Sequence, residues 1–328
     1  MPLGEFDLIA KYFDRPVRRN ALGVGDDCAL LSPAPGMQLA VSTDMLVEGR
    51  HFLPTVSAEA LGHKALAANL SDLAACGAMP LAFTLALSMP AVDETWLAGL
   101  ARGLFALADA HQIELVGGDT TAGPLNLCIT VFGEVPAGTA LLRSGARPGD
   151  DLWVSGLLGL ARLSLEALRG QAELDGPDYT LARLAMERPT PRVSLGQALR
   201  GVASSAIDLS DGLLGDLRHV LKRSGAQCRN DRTPLGAQID ATRLPRHAAL
   251  ARQPMALQLK CMLSGGDDYE LLFTAAPESR AAVEAAASAT GTAVTRIGHV
   301  DAEPGMRVLD ADHKPIATPW TGFDHFSR

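Results

Sequence analysis

Only five of the 29 basic residues in this chain are Lys, and none of the five follows a glycine. A phosphate-cradling GxxxxGK[ST] loop is therefore absent, and so are the HRDxxxxN and DFG elements of a protein-kinase site. No run of Lys and Arg occurs, and 37 acidic against 29 basic residues leave a formal net charge of −8. That balance argues against a nucleic-acid partner. The cysteines, Cys28, Cys76, Cys128, Cys228 and Cys261, are odd in number, scattered and without a CxxC pair. A disulfide frame and a Cys-rich zinc site are thereby disfavoured, and free thiols in a reducing compartment are expected. The longest apolar stretch, "LAFTLALSMPAV", is too short to cross a bilayer and contains Pro90. "MPLGEFDLIAKYF" carries Glu5 and Asp7 and lacks the basic-then-apolar build of a signal peptide. The expectation is a cytoplasmic protein with no membrane partner.

What is present is a globular composition, 47% hydrophobic and 20% charged over 328 residues. That length suits two domains of about 150 residues each. Strand-like and helix-like segments alternate. "QLAVSTD" (38–44), "LAFTLALSM" (81–89), "IELVGGDT" and "LNLCITVFGEV" read as strands. Between them, 57–78 places Leu61, Ala65, Ala68, Leu73 and Cys76 near helical spacing. Residues 92–112 form the clearest amphipathic helix, with Asp93 as N-cap and Trp96, Leu100, Leu104 and Leu107 on one face. The Gly-, Pro- and Asp-rich "SGARPGDDLWVSG" (144–156) then marks a boundary near 145, giving domains 1–145 and 146–328. The second half alternates likewise, through helices near 159–169, before "ERPTPR", at "LLGDLRHVLKRSG" and at "ESRAAVEAAASAT", and strands at "SAIDLSD", "ELLFTAA" and "VTRIGHV". Both halves read as α/β or α+β. Segment 225–238 repeats Gly-Ala-Gln and looks like an insertion or local duplication, with residues 228–238 as its insertion-like part.

The chemistry is concentrated in acidic loops. "GVGDDCAL" carries Asp26 and Asp27, "VSTDML" carries Asp44 after Ser42 and Thr43, and "NLSDLAACGA" carries Asp72. "VGGDTT" carries Asp119, "IDLSDG" carries Asp208 and Asp211, and "SGGDDYE" carries Asp267 and Asp268. One Asp beside Gly is usually a turn residue or a cap. The same grammar at six places, several at strand ends where α/β proteins keep their ligands, points to a site. Clustered carboxylates stay ionised together only with a compensating charge. Hard oxygen donors without His or Cys at useful spacing point to Mg²⁺ over Zn²⁺, and no EF-hand spacing supports Ca²⁺. The paired glycines allow close backbone approach and N–H donation to phosphate. Arg143 and Arg147 in "LLRSGARPGD" are the candidate phosphate-binding cations; the alternative for each is a solvated linker residue, and at Arg147 the two readings weigh equally.

In their order, "GEFDLIAKYF", "GDDCALL", "STDMLVEGRHF", "NLSDLAACGA", "VGGDTT", "RSGARPGD", "SAIDLSDGL", "SGGDDYELLF" and "WTGFDHF" resemble the thiamine-monophosphate kinase family. That family belongs to the superfamily of aminoimidazole ribonucleotide synthetase and selenophosphate synthetase. The resemblance implies ATP-dependent phosphorylation of thiamine monophosphate to thiamine diphosphate. It implies an N-terminal α/β domain with a mixed sheet that dimerises through that sheet, a C-terminal α/β domain, and a cleft between them for nucleotide and several Mg²⁺ ions. Carried over motif by motif, Asp27, Ser42, Thr43, Asp44, Asp72, Asp119, Asp208 and Asp211 would hold metal, and Asp44, Asp119 and Asp211 would be catalytic. Gly118, Asp119, Arg143 and Ser210 would touch ATP. His51, Asp267 and Trp320 would touch thiamine monophosphate, with Asp267 standing where the family often has Glu. On sequence grounds alone, His51 is a loop residue and Trp320 a packing anchor.

Phosphoryl transfer needs alignment and charge neutralisation more than covalent help. An acceptor phosphate with its second pKa near ~6 is already an anionic nucleophile at neutral pH. No general base is required, which suits a chain without a His/Asp dyad. Two other readings stand beside this one: another ATP-using enzyme of the superfamily, and a non-catalytic nucleotide- or metal-binding protein. Nothing before Asp26 offers the reactive Cys and Lys of a selenophosphate synthetase, and "DHFSR" is not the C-terminal Cys of a hydrogenase-maturation relative.

Overall fold

The computed structural model describes residues 4–20, 22–25, 27–317 and 319. The chain divides into two compact units. The first runs to Leu73 and from Ala78 to Gly138; the second takes Ala74–Gly77 and continues from Thr139.

The first unit is built from α1 (Glu5–Tyr12), β1 (Met37–Val47), α2 (Ala58–Ala75), β2 (Met79–Met89), α3 (Glu94–His111), β3 (Glu114–Ala122) and β4 (Asn126–Pro136). Its sheet has the order β1-β4-β2-β3, antiparallel except for the β2–β3 pair. A parallel pair needs a crossover, and α3 supplies it. Asp93 starts α3 as expected, its side chain accepting from the N–H groups of Thr95 and Trp96. The buried stripe of α3 is Leu97, Leu100, Leu104 and Leu107, with Trp96 half-buried at its margin. Helix α2 is buried on nearly every side, from Leu61 through Leu66 and Leu70 to Leu73.

Strand β1 alternates as a half-covered strand should. Ser42, Asp44 and Leu46 pair with the buried Val131, Ile129 and Leu127 of β4, whereas Leu39, Val41 and Met45 are exposed on the other face. Part of that second face is covered by the N-terminal segment, where Val17, Ala29 and Leu31 pack on Leu81, Ala82 and Val116.

The second unit comprises β5 (Asp151–Ser155), α4 (Leu160–Leu168), α5 (Gly176–Glu187), α6 (Val193–Ala198), β6 (Ser205–Asp208), α7 (Leu213–Cys228) and β7 (Gly236–Asp240). It continues through α8 (Ala248–Ala251), α9 (Met255–Ser264), β8 (Leu271–Ala275), α10 (Arg280–Thr290), β9 (Val294–Asp301) and β10 (Gly305–Leu309). The sheet order is β10-β7-β9-β5-β8-β6, and only β10–β7 is parallel. Every residue of β5, β6 and β8 is buried, so both faces of these strands are covered. Leu152, Val154, Ile207 and Leu272 on one face, with Leu217, Ile239 and Ile297, make one core.

Two mixed α/β units agree with the fold expected from the sequence. The insertion-like segment is different from that expectation. One Gly-Ala-Gln lies in helix α7 and the other in strand β7, between β10 and β9, so the repeat is not a structural duplication. Among the described residues, no helix is long and apolar enough to cross a membrane.

Candidate functional site

The acidic loops sort into three groups. The first lies where α2 meets β1. Ser42 donates its hydroxyl to Asp72 Oδ2 at 2.5 Å, and the Asp44 N–H donates to Asn69 Oδ1 at 3.1 Å. Asn69 is itself buried and donates to the Ala65 carbonyl, so the helix fixes the strand from below. Thr43 points the other way and shares a 2.8 Å hydrogen bond with Thr130. Nearby, His51 Nδ1 accepts from the Val47 N–H at 3.0 Å, and the buried Lys64 ammonium donates to the His51 carbonyl at 2.9 Å.

The second group lies at the β3 edge. A cavity of about 580 Å³ is lined by Asp27, Gly118 and Asp119, with Phe6, Ile9 and Phe13 of the α1 segment on its apolar side. Gly118 has φ 151°, and a Cβ there would lie 1.9 Å from the Leu85 carbonyl oxygen. Only glycine fits this approach of β3 to β2. Just before it, β3 carries an extra residue: Phe83 pairs with Leu115 and Thr84 with Gly117, so Val116 is bulged out. Asp44, Ile129, Leu85 and Gly118 lie in one cross-strand row. Three strand spacings of about 4.8 Å separate its ends by roughly 14 Å. Asp119 falls in the next row with Ala86, Cys128 and the exposed Met45. Within this unit Asp44 and Asp119 therefore belong to different faces and opposite edges of the sheet, so one ion cannot bridge them.

The third group surrounds the N-terminus of α7. Asp208 ends β6 with 3% exposure, paired with Leu271 of β8. The next residues run beside loop 265–270. Leu209 N–H donates to the Glu270 carbonyl, Tyr269 N–H to the Leu209 carbonyl and Asp267 N–H to the Ser210 carbonyl, at 2.8, 2.9 and 3.0 Å. Asp216, in the first turn of α7, accepts from the N–H groups of Asp211 and Gly212 at 3.1 and 3.0 Å. Burial and then the charge of Asp211 push the Asp216 carboxyl up to about 7. Arg143 is exposed, and its charge acts on Asp216 and His219. Arg147 donates its N–H to Asp150 and lines a separate open cavity with Ser204.

Loop 265–270 divides the acids of "SGGDDYE" by direction. Asp267 and Tyr269 both have left-handed backbones, with φ 67° and 50°. Such residues cost roughly 1–3 kcal/mol each and persist only where their surroundings enforce them. The Tyr269 hydroxyl donates to Asp267 Oδ1 at 3.3 Å. Asp268 is turned toward α4, where both carboxylate oxygens accept from the Gly159 N–H at 3.0 Å, and burial holds it well above the usual carboxylate range. Glu270 is buried and accepts from Ser155 and from the Arg192 guanidinium.

The structure thus brings Ser42 to Asp72, Asp27 to Gly118 and Asp119 in one cavity, and Ser210 and Asp211 to Asp267 and Asp216. Trp320 and Asp26 lie outside the described residues. Among the described residues, no three His, Cys, Asp or Glu side chains converge as a closed metal site. Mg²⁺ does not ask for one: it is held by one or two carboxylates together with substrate phosphates and water. The donor set is all oxygen, and the charge of Asp211, which adds to burial in raising Asp216, is in keeping with a cation's charge. Sequence reasoning missed Asn69, Asp216, Glu270, Ser155 and Arg192. Asp216 had a signal, an acid in the first turn of the helix after "SDG". Arg192 had none, since its partner is 78 residues away.

Comparison with known proteins places these groups in a family. Residues 25–135 match the model for AIR synthase related protein, N-terminal domain, and residues 147–311 match that for the C-terminal domain. Thiamine-monophosphate kinase of Salmonella typhimurium is 45% identical over 100% of this chain and 99% of its own length. The crystal structure of thiamine-monophosphate kinase from Stenotrophomonas maltophilia K279a is 43% identical, with a TM-score of 0.82 over 94% of this chain and 95% of that one. A structure described as AaThiL complexed with AMPPCP and TMP is 28% identical, with a TM-score of 0.75 over 98% of this chain and 96% of that one. The motifs, the two mixed α/β units and the full-length matches agree: the chain belongs to the thiamine-monophosphate kinase family.

Proposed function

We propose that this protein transfers the γ-phosphoryl group of ATP to the phosphate of thiamine monophosphate, giving thiamine diphosphate. The observation that carries this reading is the AMPPCP and TMP complex of a structural relative that covers 98% of this chain. Residue by residue, Asp27, Gly118 and Asp119 are assigned to the nucleotide and its metal. Ser42, Thr43, Asp44, Asp72, Asp208 and Asp211 are assigned to further Mg²⁺ ligation, and Arg143 and Ser210 to ATP. His51 and Asp267, with Trp320, are assigned to thiamine monophosphate. Bound Mg²⁺ would neutralise and align the phosphate oxygens of donor and acceptor.

The chain's own residues do the rest. The acceptor phosphate is already an anion near neutral pH, so no side chain has to take its proton. Ser42 on Asp72 and Asn69 on the Asp44 backbone tie strand β1 to helix α2 before substrate arrives. Gly118 brings backbone to the cavity that Asp27 and Asp119 line. Phe6, 81% exposed at its apolar side, offers a face for the adenine ring. The exposed Leu39, Val41 and Met45 of β1 support pairing of two copies through the first-unit sheet. The free cysteines support a cytoplasmic setting.

The test is direct. Purified protein is incubated with ATP, Mg²⁺ and thiamine monophosphate, and thiamine diphosphate is followed as its thiochrome derivative, with EDTA as control. Mg²⁺-dependent product is expected. ATP binding without product would move the protein to one of the other two readings, an enzyme of the superfamily with another small-molecule substrate or a non-catalytic nucleotide-binding protein.

A further inference from the structure

Loop 265–270 has no regular secondary structure, yet it carries Asp267 and borders Ser210. Its backbone is laddered to Leu209 and Ser210, and the side chains of Asp268 and Glu270 anchor it on the other side. Asp268 takes the Gly159 N–H at the start of α4 on both oxygens at 3.0 Å. Glu270 takes the Ser155 hydroxyl at the end of β5 at 2.5 Å, and the Arg192 fork at 2.6 Å from Nε and 2.5 Å from Nη2. The same segment 155–159 thus receives both acids. Gly156 lies against Glu270, where an added Cβ would meet Oε1 at 1.9 Å, so the carboxylate sits where only a glycine leaves room for it.

We propose that Arg192, Glu270 and Asp268 are positioning residues that fix where Asp267 presents its carboxylate to the phosphoryl acceptor. The inference rests on the assignment of Asp267 to thiamine monophosphate. The alternation makes the case. Asp267 and Tyr269 are the left-handed residues, and Asp268 and Glu270 are the anchored ones on either side of Tyr269. Releasing an anchor lets φ at 267 or 269 relax, and that relaxation turns the Asp267 side chain. The ladder from Asp267 N–H to Ser210 and from Leu209 N–H to Glu270 carries the same shift into "LSDG". A planar fork sets both the distance and the rotation of the carboxylate it grips, which an ammonium does not.

The test is a double-mutant cycle of Arg192→Lys with Asp267→Asn, read as kcat/KM for thiamine monophosphate, with melting temperatures alongside. Arg192→Lys keeps the charge and removes the fork, and we expect a loss of about tenfold to a hundredfold from misplacement. If Arg192 acts through Asp267, the double variant is no worse than Asp267→Asn alone. Losses that multiply, or wild-type kinetics in Arg192→Lys, overturn the proposal while leaving the Asp267 assignment standing. Wild-type kinetics in Asp267→Asn overturn that assignment, and the proposal with it. Glu270→Gln, which keeps the side-chain volume and an oxygen for Ser155, runs the same cycle if Arg192→Lys fails to fold. A conservative rescue completes the set: Asp268→Asn retains an acceptor for Gly159 and should keep kcat/KM within about threefold, whereas Asp268→Ala should lose at least tenfold. Equal losses in the two Asp268 variants count against the anchor.

Discussion

Replacing Gly118 by Ala probes the β3 edge with one methyl group. A Cβ at this position would lie 1.9 Å from the Leu85 carbonyl oxygen and 2.7 Å from its carbon. A comfortable carbon–oxygen contact is about 3.3 Å, so relief needs roughly 1.4 Å of movement. Leu85 is held between β4 and β3, whereas β3 is an edge strand, so β3 gives way. Overpacking of this kind costs about 1–3 kcal/mol. The positive φ adds about 1 kcal/mol. The sum, roughly 2–4 kcal/mol, lowers the melting temperature by about 6–12 °C in a domain of this size. Asp119 moves with the strand, and an active-site displacement near 1 Å costs about a hundredfold in rate. Gly138→Ala is the control, because Gly138 has φ 77° but nothing within 4 Å of an added Cβ. It pays the backbone cost without the collision. Differential scanning calorimetry and steady-state kinetics on both variants decide the matter. Equal melting temperatures for the two, with kcat/KM for ATP within twofold of wild type, would refute the steric reasoning.

Three further outcomes are expected. Asp211→Asn should abolish turnover while circular dichroism and melting stay near wild type; retained activity would remove Asp211 from the metal ligands. Phe6→Ala should raise KM for ATP several-fold, leave KM for thiamine monophosphate unchanged and barely alter melting, because Phe6 is 81% exposed; equal effects on both substrates would count against an adenine contact. Glu114→Gln should destabilise the first unit by about 1 kcal/mol at neutral pH, because charge-assisted hydrogen bonds are lost from a partly exposed site. Burial opposes the charge of Glu114, but the N–H groups of Arg18, Arg19 and Asn20 outweigh burial and keep it below the usual carboxylate range. A depressed folded-state pKa contributes stability above the unfolded value of about 4.3, and that contribution fades as pH falls through the folded value. The melting difference between wild type and Glu114→Gln should hold from pH 8 to 5 and shrink in stronger acid.

Much of this molecule was legible in the sequence where the signal is local. Asp93 caps its helix through N–H groups two and three residues on, so its role is written within one turn. The strands of the first unit announce themselves by alternation or by apolar runs. Strand β7 did not, because its pattern is broken by glycine and Gln238, and its neighbours β9 and β10 lie far along the chain. The site follows the same division. The acids of "STD", "GGD" and "LSDG" can be collected by their grammar, but their grouping cannot. Register places Asp44 and Asp119 on opposite edges of one sheet. Backbone sign at 267 and 269 decides which acid of "GGDDYE" is presented and which is an anchor. Neither is a property of composition, and both depend on pairings across dozens of residues.

The bulge at Val116 makes the position of Asp119 a matter of counting. Paired in regular order, Val116 would sit on Thr84, Gly118 would face Ala86 and Asp119 would face Leu87, which is 1% exposed. The carboxylate would then be driven into the apolar core. Straightening the strand with Val116 kept inverts the frame, whereas losing Val116 together with the bulge leaves Leu115 on Phe83, Gly117 on Thr84 and Asp119 on Ala86. Loss of the Val116 codon is therefore the one change of length this strand can absorb, at the cost of the local twist that the bulge adds.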